Sequence, residues 1–429
     1  MRVFPRLQGW IDAADAQRVI GWATGPVKIR INSALYTELT PSDERADLAH
    51  GRGFDIAVPQ RMLRQGRNTI EVAFSETEET LREGKASFDY SVNRDLVTGY
   101  TLALLSQGDF AIEGGYLADG RLVFNGRIVN PPGVAHADIL LNGRPIESAR
   151  TPDEPARLHF ALPPRHVVER FSASVPMAAP MRIGLGDGNG PFNALQDWIV
   201  APHETLPLPD AARMMRVAAT HNPFQFDLQG ASNSMKLRAL YERADGVPLA
   251  QAQVLDWGVG CGRVARHMLD HAPHFHGADI DADNIAWCAA HLPGAYVRAE
   301  LEPPLPFADG AFDFIYGISV LTHLSERHEA AWLAELRRIS SPKARLILSV
   351  LGARAMATIG RLGELLASEG FLDFGNNADL AGHAPDGYYR NIAHTESYLH
   401  RVWGRWFEII EIAPKCIGNL QDAIVLRPR

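Results

Sequence analysis

Between Val254 and Arg263 the chain reads Val-Leu-Asp-Trp-Gly-Val-Gly-Cys-Gly-Arg, an apolar run ending in Asp256 followed by glycines at 258, 260 and 262. Glycine reaches positive φ freely and lets a ligand approach the backbone closely. The helical stretch that follows, Val264–Leu269, offers unpaired N–H groups and a partial positive charge at its start. The chemistry expected here is recognition of a nucleotide-like molecule with an anionic or polar group. A dinucleotide fingerprint needs Gly-x-Gly-x-x-Gly. Counted from Gly258 its third position is Arg263, and counted from Gly260 it is Ala265, so the spacing is Asp-x-Gly-x-Gly-x-Gly instead. A second chemistry-bearing residue, Asp279, closes the run Phe275–Ile280, 21 residues beyond Gly258. An acidic side chain at that distance accepts hydrogen bonds from ribose hydroxyls. Asp281 opens a helical stretch, Asp281–Leu292, and reads as its N-cap.

These residues need a scaffold. From Gln253 onward strand and helix patterns alternate, which implies a parallel sheet covered by helices on both faces. Ligands of such sheets sit outside the carboxyl ends of the strands, near the topological switch point. The expected strand ends are Asp256, Asp279 with Ile280, the stretch Ala295–Leu301, and Asp313–Gly317, after which Ser319–His323 emerges at the cleft. A helix Glu326–Ile339 and a strand Ala344–Val350 follow, then Phe407–Ile412 and Asp422–Leu426.

Together these stretches resemble the class I S-adenosylmethionine-dependent methyltransferases, from motif I at Asp256–Gly262 through Leu305–Leu324 to the C-terminal hairpin, across about residues 250–429. The resemblance implies an α/β Rossmann-like domain with a seven-stranded sheet, and S-adenosyl-L-methionine as cofactor. It assigns Asp256, Gly258, Gly260, Gly262, Asp279, Ile280, Ser319, and Glu300 or Leu301 (beside the adenine) to cofactor binding. The family often has Asp or Asn where Glu300 stands. Methyl transfer is largely a matter of positioning and needs no metal. An alcohol acceptor benefits from a general base. His323 and His394 are the candidates; His394 lies in the long connection Ala353–Arg405 that should fold over the cleft, and it is preferred because His323 can instead be fixed against the helix that begins near Ser325. Tyr389 and Arg390, in the same connection, are expected to bind acceptor.

The first 200 residues differ in kind. Val27–Ile31, Phe54–Val58 and Thr69–Phe74 alternate apolar and polar residues between turn signals, the pattern of half-buried strands in β-sandwiches. Val27–Asn32 parallels Ala137–Asn142, and Phe54–Arg61 parallels Leu158–Arg165, an offset of roughly 105–110 residues. Two tandem sandwich modules are therefore expected, at 5–95 and 108–200, then a linker and helical lead-in at 202–250 and the catalytic domain at 251–429. The first module carries Gly9-Trp10-Ile11-Asp12, Gly21-Trp22-Ala23 and Arg45-Ala46-Asp47-Leu48. It resembles small β modules attached to bacterial glycosyltransferases and other surface-polysaccharide enzymes. Trp10 and Trp22 read first as core aromatics and second as sugar platforms; Arg45 and Asp47 read as a turn pair.

Pro202–Pro209 reads as an extended spacer, so a fragment beginning near Pro209 is expected to fold alone. In the lead-in, Asp210 should cap a helix Ala211–Ala219, Asn222-Pro223-Phe224 should break it, and Ser232–Ala244 should form another. Arg216 and Phe224 are candidates for contact with cofactor or substrate.

Composition bounds the rest. At 429 residues with 46% hydrophobic and 21% charged residues, the chain has the makeup of a globular protein of several domains. A net charge of −8 argues against a general nucleic-acid binder. Cys261, Cys288 and Cys416 form neither a disulfide framework nor a metal-ligand pattern. Met1–Gln8 lacks the apolar core of a signal peptide and no stretch approaches a membrane span, so a cytoplasmic enzyme without metal is expected. The leading reading is a saccharide or surface-glycan O-methyltransferase, with glycan-assembly enzymes as partners. The alternatives are a methyltransferase for a small metabolite or protein, and a non-catalytic glycan-binding or scaffold protein. The intact Asp256, three glycines and Asp279 argue against the last.

Overall fold

The computed structural model describes residues 7–15, 18–45, 48, 51–58, 63, 66–90, 108–131, 133–134, 136–159, 167–201, 206–377, 384–385 and 387–429. The chain divides into two compact units, Met1–Val97 with Gly363–Leu372, and Thr98–Leu362 with Asp373–Arg429.

In the first unit, Val27–Ile31 alternates buried and half-buried side chains, as Val-Lys-Ile-Arg-Ile requires of a strand with one face inward. Seven strands join into one path of hydrogen-bonded neighbours, linked at its middle by a parallel pairing of Trp10 with Arg82. Ile11, Val19, Ile29, Phe54 and Val72 share a single core. Trp10 and Trp22 lie opposite one another in register and are half-buried rather than part of that core. The Arg82 guanidinium sits 4.4 Å over the Trp10 ring. Arg45 pairs with Asp12; Asp47, its expected partner, lies outside the described residues.

The second β region has two sheets around one core. Phe110, Phe124 and Phe171 come from a four-stranded sheet, and Ile139, Ile183 and Trp198 from a five-stranded one. The proposed repeat survives at its first site: Val27–Ile31 and Asp138–Leu141 are both strands, followed by Asn32 and Asn142 at φ 50°. At its second site the likeness fails, because Leu158 and His159 end a short helix, Glu154–His159, and residues 160–166 lie outside the described ones.

The catalytic part begins with α1 (Ala211–Ala218), capped by the Asp210 carboxylate accepting from Arg213 N–H. α1 ends ahead of Asn222-Pro223 as expected, but the next helix starts there and not at Ser232. Asn222 caps α2 (Pro223–Arg243), and Pro223 takes the first helical position, where a missing N–H costs nothing. Then come β1 (Gln253–Trp257), α3 (Ala265–Met268), β2 (His274–Asp279), α4 (Ala282–His291), β3 (Ala295–Arg298), β4 (Phe312–Gly317), α5 (Glu326–Ile339) and β5 (Ser340–Val350). After α6 (Glu396–Val402), the hairpin β6 (Phe407–Ile417) and β7 (Gln421–Pro428) completes a seven-stranded sheet ordered β3-β2-β1-β4-β5-β7-β6. The first five strands are parallel and β7 is antiparallel to both neighbours. The strand order reverses between β1 and β4, which opens a crevice at their carboxyl ends.

The proline-rich stretch does not separate this domain from the second β region; the two form one body. Leu228 of α2 belongs to the core of the β region. Lys415 of β6 is buried with its ammonium 2.6 and 2.5 Å from the two oxygens of Asp109. Buried Asn419 donates to the Phe110 and Gln196 carbonyls and accepts from buried Lys236 at 2.8 Å. Arg354 donates to the Gly108 carbonyl. Burial pushes the Lys236 ammonium down to about 8. Among the described residues no helix is long and apolar enough to cross a membrane.

Candidate active site

Gly258 sits at φ 85°, and a Cβ there would stand 2.3 Å from Val320 Cγ2, so this turn admits only glycine. The Gly258 and Val259 N–H groups donate to the Ala278 carbonyl at 2.8 and 3.1 Å, lashing the loop to the end of β2. Asp279 completes the hinge: one carboxylate oxygen accepts from Gly260 N–H at 2.7 Å, the other from Asp281 N–H at 2.8 Å. Burial raises its pKa and those two amides oppose the rise. Each oxygen keeps a second lone pair for ribose hydroxyls. Asp281 caps α4 and lies 2.8 Å from the Arg216 guanidinium. Asp256 is buried at the end of β1, and burial pushes its carboxyl up to about 8 against the Tyr316 hydroxyl beside it.

Beyond β4, Ser319 adopts φ 61°, a left-handed conformation in a residue that lines the cleft. A closed ring of hydrogen bonds holds it there. Ser319 N–H donates to Ser349 Oγ, Ser349 Oγ to Gln421 Oε1, and Gln421 Nε2 to Ser319 Oγ, at 2.8, 2.6 and 2.7 Å. Strain of this kind persists only where surroundings over-determine it.

His323 follows one turn later and lines the same cleft. Its Nδ1 lies 2.8 Å from the Arg390 carbonyl oxygen. A carbonyl only accepts, so Nδ1 carries the proton and Nε2 holds a lone pair. Burial lowers the pKa of this imidazole, so it is neutral at pH 7. The Tyr389 ring meets it edge-on at 5.9 Å.

The cleft brings together most of the expected residues: Asp256, Gly258, Gly260, Asp279, Ile280, Ser319, His323 and Tyr389, with Arg216. Six expectations are corrected. Gly262 faces α4, where a Cβ would meet Leu292 at 2.3 Å. Glu300 is exposed, and Ala299 lines the cleft in its place because β3 ends earlier than expected. Leu301 contributes only a carbonyl, which accepts from the Tyr388 hydroxyl at 2.7 Å. Arg390 turns its guanidinium onto Asp373, at 2.8 and 2.9 Å, and onto Asn376. His394, the preferred base, is fully buried behind the cleft wall, 2.7 Å from the Glu329 carboxylate. Phe224 likewise packs against Gly115 of the β region. Sequence reasoning missed Trp332 and Tyr388. Trp332 sits one helical face round from Glu329, at the position in α5 that must look back at the sheet, and that periodicity was available to find it. Among the described residues no group of three or more His, Cys, Asp or Glu side chains is placed to hold a metal ion.

Residues 255–348 match the family model described as a methyltransferase domain. Three solved structures are similar in fold. A TehB-like methyltransferase from Corynebacterium glutamicum is 17% identical, over 46% of this chain and 88% of its own, at a TM-score of 0.31. A methyltransferase from Mesorhizobium loti is 16% identical, over 46% and 98%, at 0.33. The 1,6-didemethyltoxoflavin-N1-methyltransferase of Burkholderia thailandensis is 16% identical, over 54% and 95%, at 0.36. The match to a methyltransferase domain thus covers residues 255–348, and S-adenosylmethionine is the cofactor it supports. The residues present fit that cofactor: a glycine cradle that any Cβ would fill, the half-buried Asp279 with free lone pairs, and apolar walls from Ile280, Ala299 and Trp332.

Proposed function

We propose that the protein transfers the methyl group of S-adenosylmethionine to a hydroxyl of a saccharide or related surface-glycan acceptor, with His323 as general base. The observation that carries the chemistry is the contact of His323 Nδ1 with the Arg390 carbonyl oxygen at 2.8 Å in the cleft wall, which leaves Nε2 as the nitrogen with a lone pair. When bound, the cofactor supplies an electrophilic sulfonium methyl. As the acceptor oxygen gains that methyl, the sulfur keeping the electron pair of the broken S–CH3 bond, His323 Nε2 would take the acceptor proton. Asp279 holds the ribose, Trp257 and Trp332 exclude water, and Tyr389 contacts the acceptor beside His323. The acceptor class is supported by the likeness of the first module to those of surface-polysaccharide enzymes, and by the half-buried Trp10 and Trp22 outside its core.

The test is mass spectrometry of candidate glycan acceptors after incubation with isotope-labelled S-adenosylmethionine. With an acceptor in hand, His323→Ala should lose about two to four decades of turnover while keeping affinity for S-adenosylhomocysteine. Near-normal turnover in that variant would remove His323 as the base.

A further inference from the structure

The proposed base is held by main chain. The Arg390 carbonyl accepts from His323 Nδ1, and the Arg390 N–H donates back to the His323 carbonyl at 2.9 Å. Ile392 N–H donates to the Thr322 carbonyl at 2.9 Å, and His394 N–H to the Leu351 carbonyl at 2.8 Å. The strand Arg390–His394 therefore sets the one acceptor that keeps the His323 proton on Nδ1. If that carbonyl moves away, the proton can pass to Nε2, and the lone pair needed for proton abstraction is lost.

At the far end of this strand stands a side-chain anchor that the reaction does not use. Glu329 of α5 is fully buried. One of its oxygens takes His394 Nε2 at 2.7 Å; the other accepts from Trp403 Nε1 at 2.9 Å and from the Tyr398 hydroxyl at 3.2 Å. Three donors from residues 394–403 thus converge on one buried carboxylate. Such a group cannot give up a donor without a desolvation cost, so strand and helix keep one relative position. The same helix presents Trp332 to the cleft.

We infer that Glu329 and His394 are positioning residues for His323: the buried pair clamps strand Arg390–His394 onto α5 and, through the Arg390 carbonyl, fixes the tautomer of the base. This rests on His323 being the base.

The experiment uses the full chain, labelled with 15N-histidine and bound to S-adenosylhomocysteine. Two-bond nitrogen–proton correlation spectra read the tautomer of His323 directly, with no acceptor needed; its signals are assigned by their loss in His323→Gln. Wild type should show a single tautomer protonated at Nδ1. Glu329→Gln places an amide donor where a donor already points, and His394→Ala removes the clamp. Each should populate the Nε2-protonated tautomer to roughly a tenth or more, with S-adenosylhomocysteine affinity within about twofold of wild type by calorimetry. His394→Gln retains an N–H for Glu329 and should restore the single tautomer. A wild-type tautomer in either folded clamp variant, or no difference between His394→Ala and His394→Gln, overturns the inference. If Glu329→Gln does not fold, the two His394 variants decide alone. Unimpaired turnover in His323→Gln would instead remove the base assignment, leaving the tautomer result as it stands.

Discussion

The two β regions share strand periodicity in sequence and differ in where their charged side chains find partners. In the first, ion pairs stand at the surface: Arg18 and Asp55 meet at 2.7 Å with more than half of the arginine side chain exposed, and the core is the module's own. In the second, the pair is buried and its halves belong to different domains, Asp109 on one side and Lys415 on the other. The lesson concerns boundaries. A proline-rich stretch marks where the chain changes periodicity, yet a boundary in space depends on which side chains are buried across it.

The largest effect should come from cutting there. A Pro209–Arg429 fragment leaves Lys415, Lys236 and Asn419 without their environment and exposes Leu228, so it should be insoluble or show no thermal shift with S-adenosylhomocysteine. A Thr98–Arg429 fragment should keep that shift. Equal behaviour of the two would break the comparison. Asp109→Ala in the full chain should cost about 3–5 kcal/mol by denaturant unfolding, because an unpaired buried cation remains.

Lys236 gives the comparison a pH dependence. Its folded pKa, about 8, lies below the unfolded value of 10.5. Between those values the unfolded chain holds a proton that the folded one lacks, so this group makes stability rise with pH across the window. Wild type minus Lys236→Met should therefore change by about 3 kcal/mol from pH 8 to pH 10.5; a flat difference would mean that the ammonium is not desolvated. Gly258→Val should weaken S-adenosylhomocysteine binding by at least about tenfold through backbone strain and the clash with Val320, with no change in either β region by circular dichroism. The smallest effect belongs to the first module: Asp55→Ala should cost about 1 kcal/mol or less. A cost as large as that of Asp109→Ala would erase the distinction.

How far the sequence is legible depends on the range of the forces involved. The Asp281 cap and the bounds of α5 depend on residues within a turn or two of one another, and each falls where expected. Asn222-Pro223 is also local, but proline's two roles, breaking and starting a helix, differ only in the residues on its C-terminal side. His394 shows the limit. Gly387–Thr395 reads as a polar, aromatic stretch suited to an acceptor, and nothing near it discloses that Glu329, 65 residues earlier, will bury beside it. Arg390 fails for a related reason: its carbonyl, which no residue type advertises, is the functional group, while the guanidinium is spent on Asp373. Lys415 and Asp109 lie 306 residues apart, and each reads as a surface charge until the fold removes the water.

The turn around Asn419 has a consequence for how such a protein can be recombined. A gene segment that began at the proline-rich stretch would carry Asn419, Lys415 and Arg354 into a new host without the carbonyls and carboxylate they were matched to. The second β region and the methyltransferase domain therefore constitute one heritable cassette, which must be duplicated, exchanged or grafted whole.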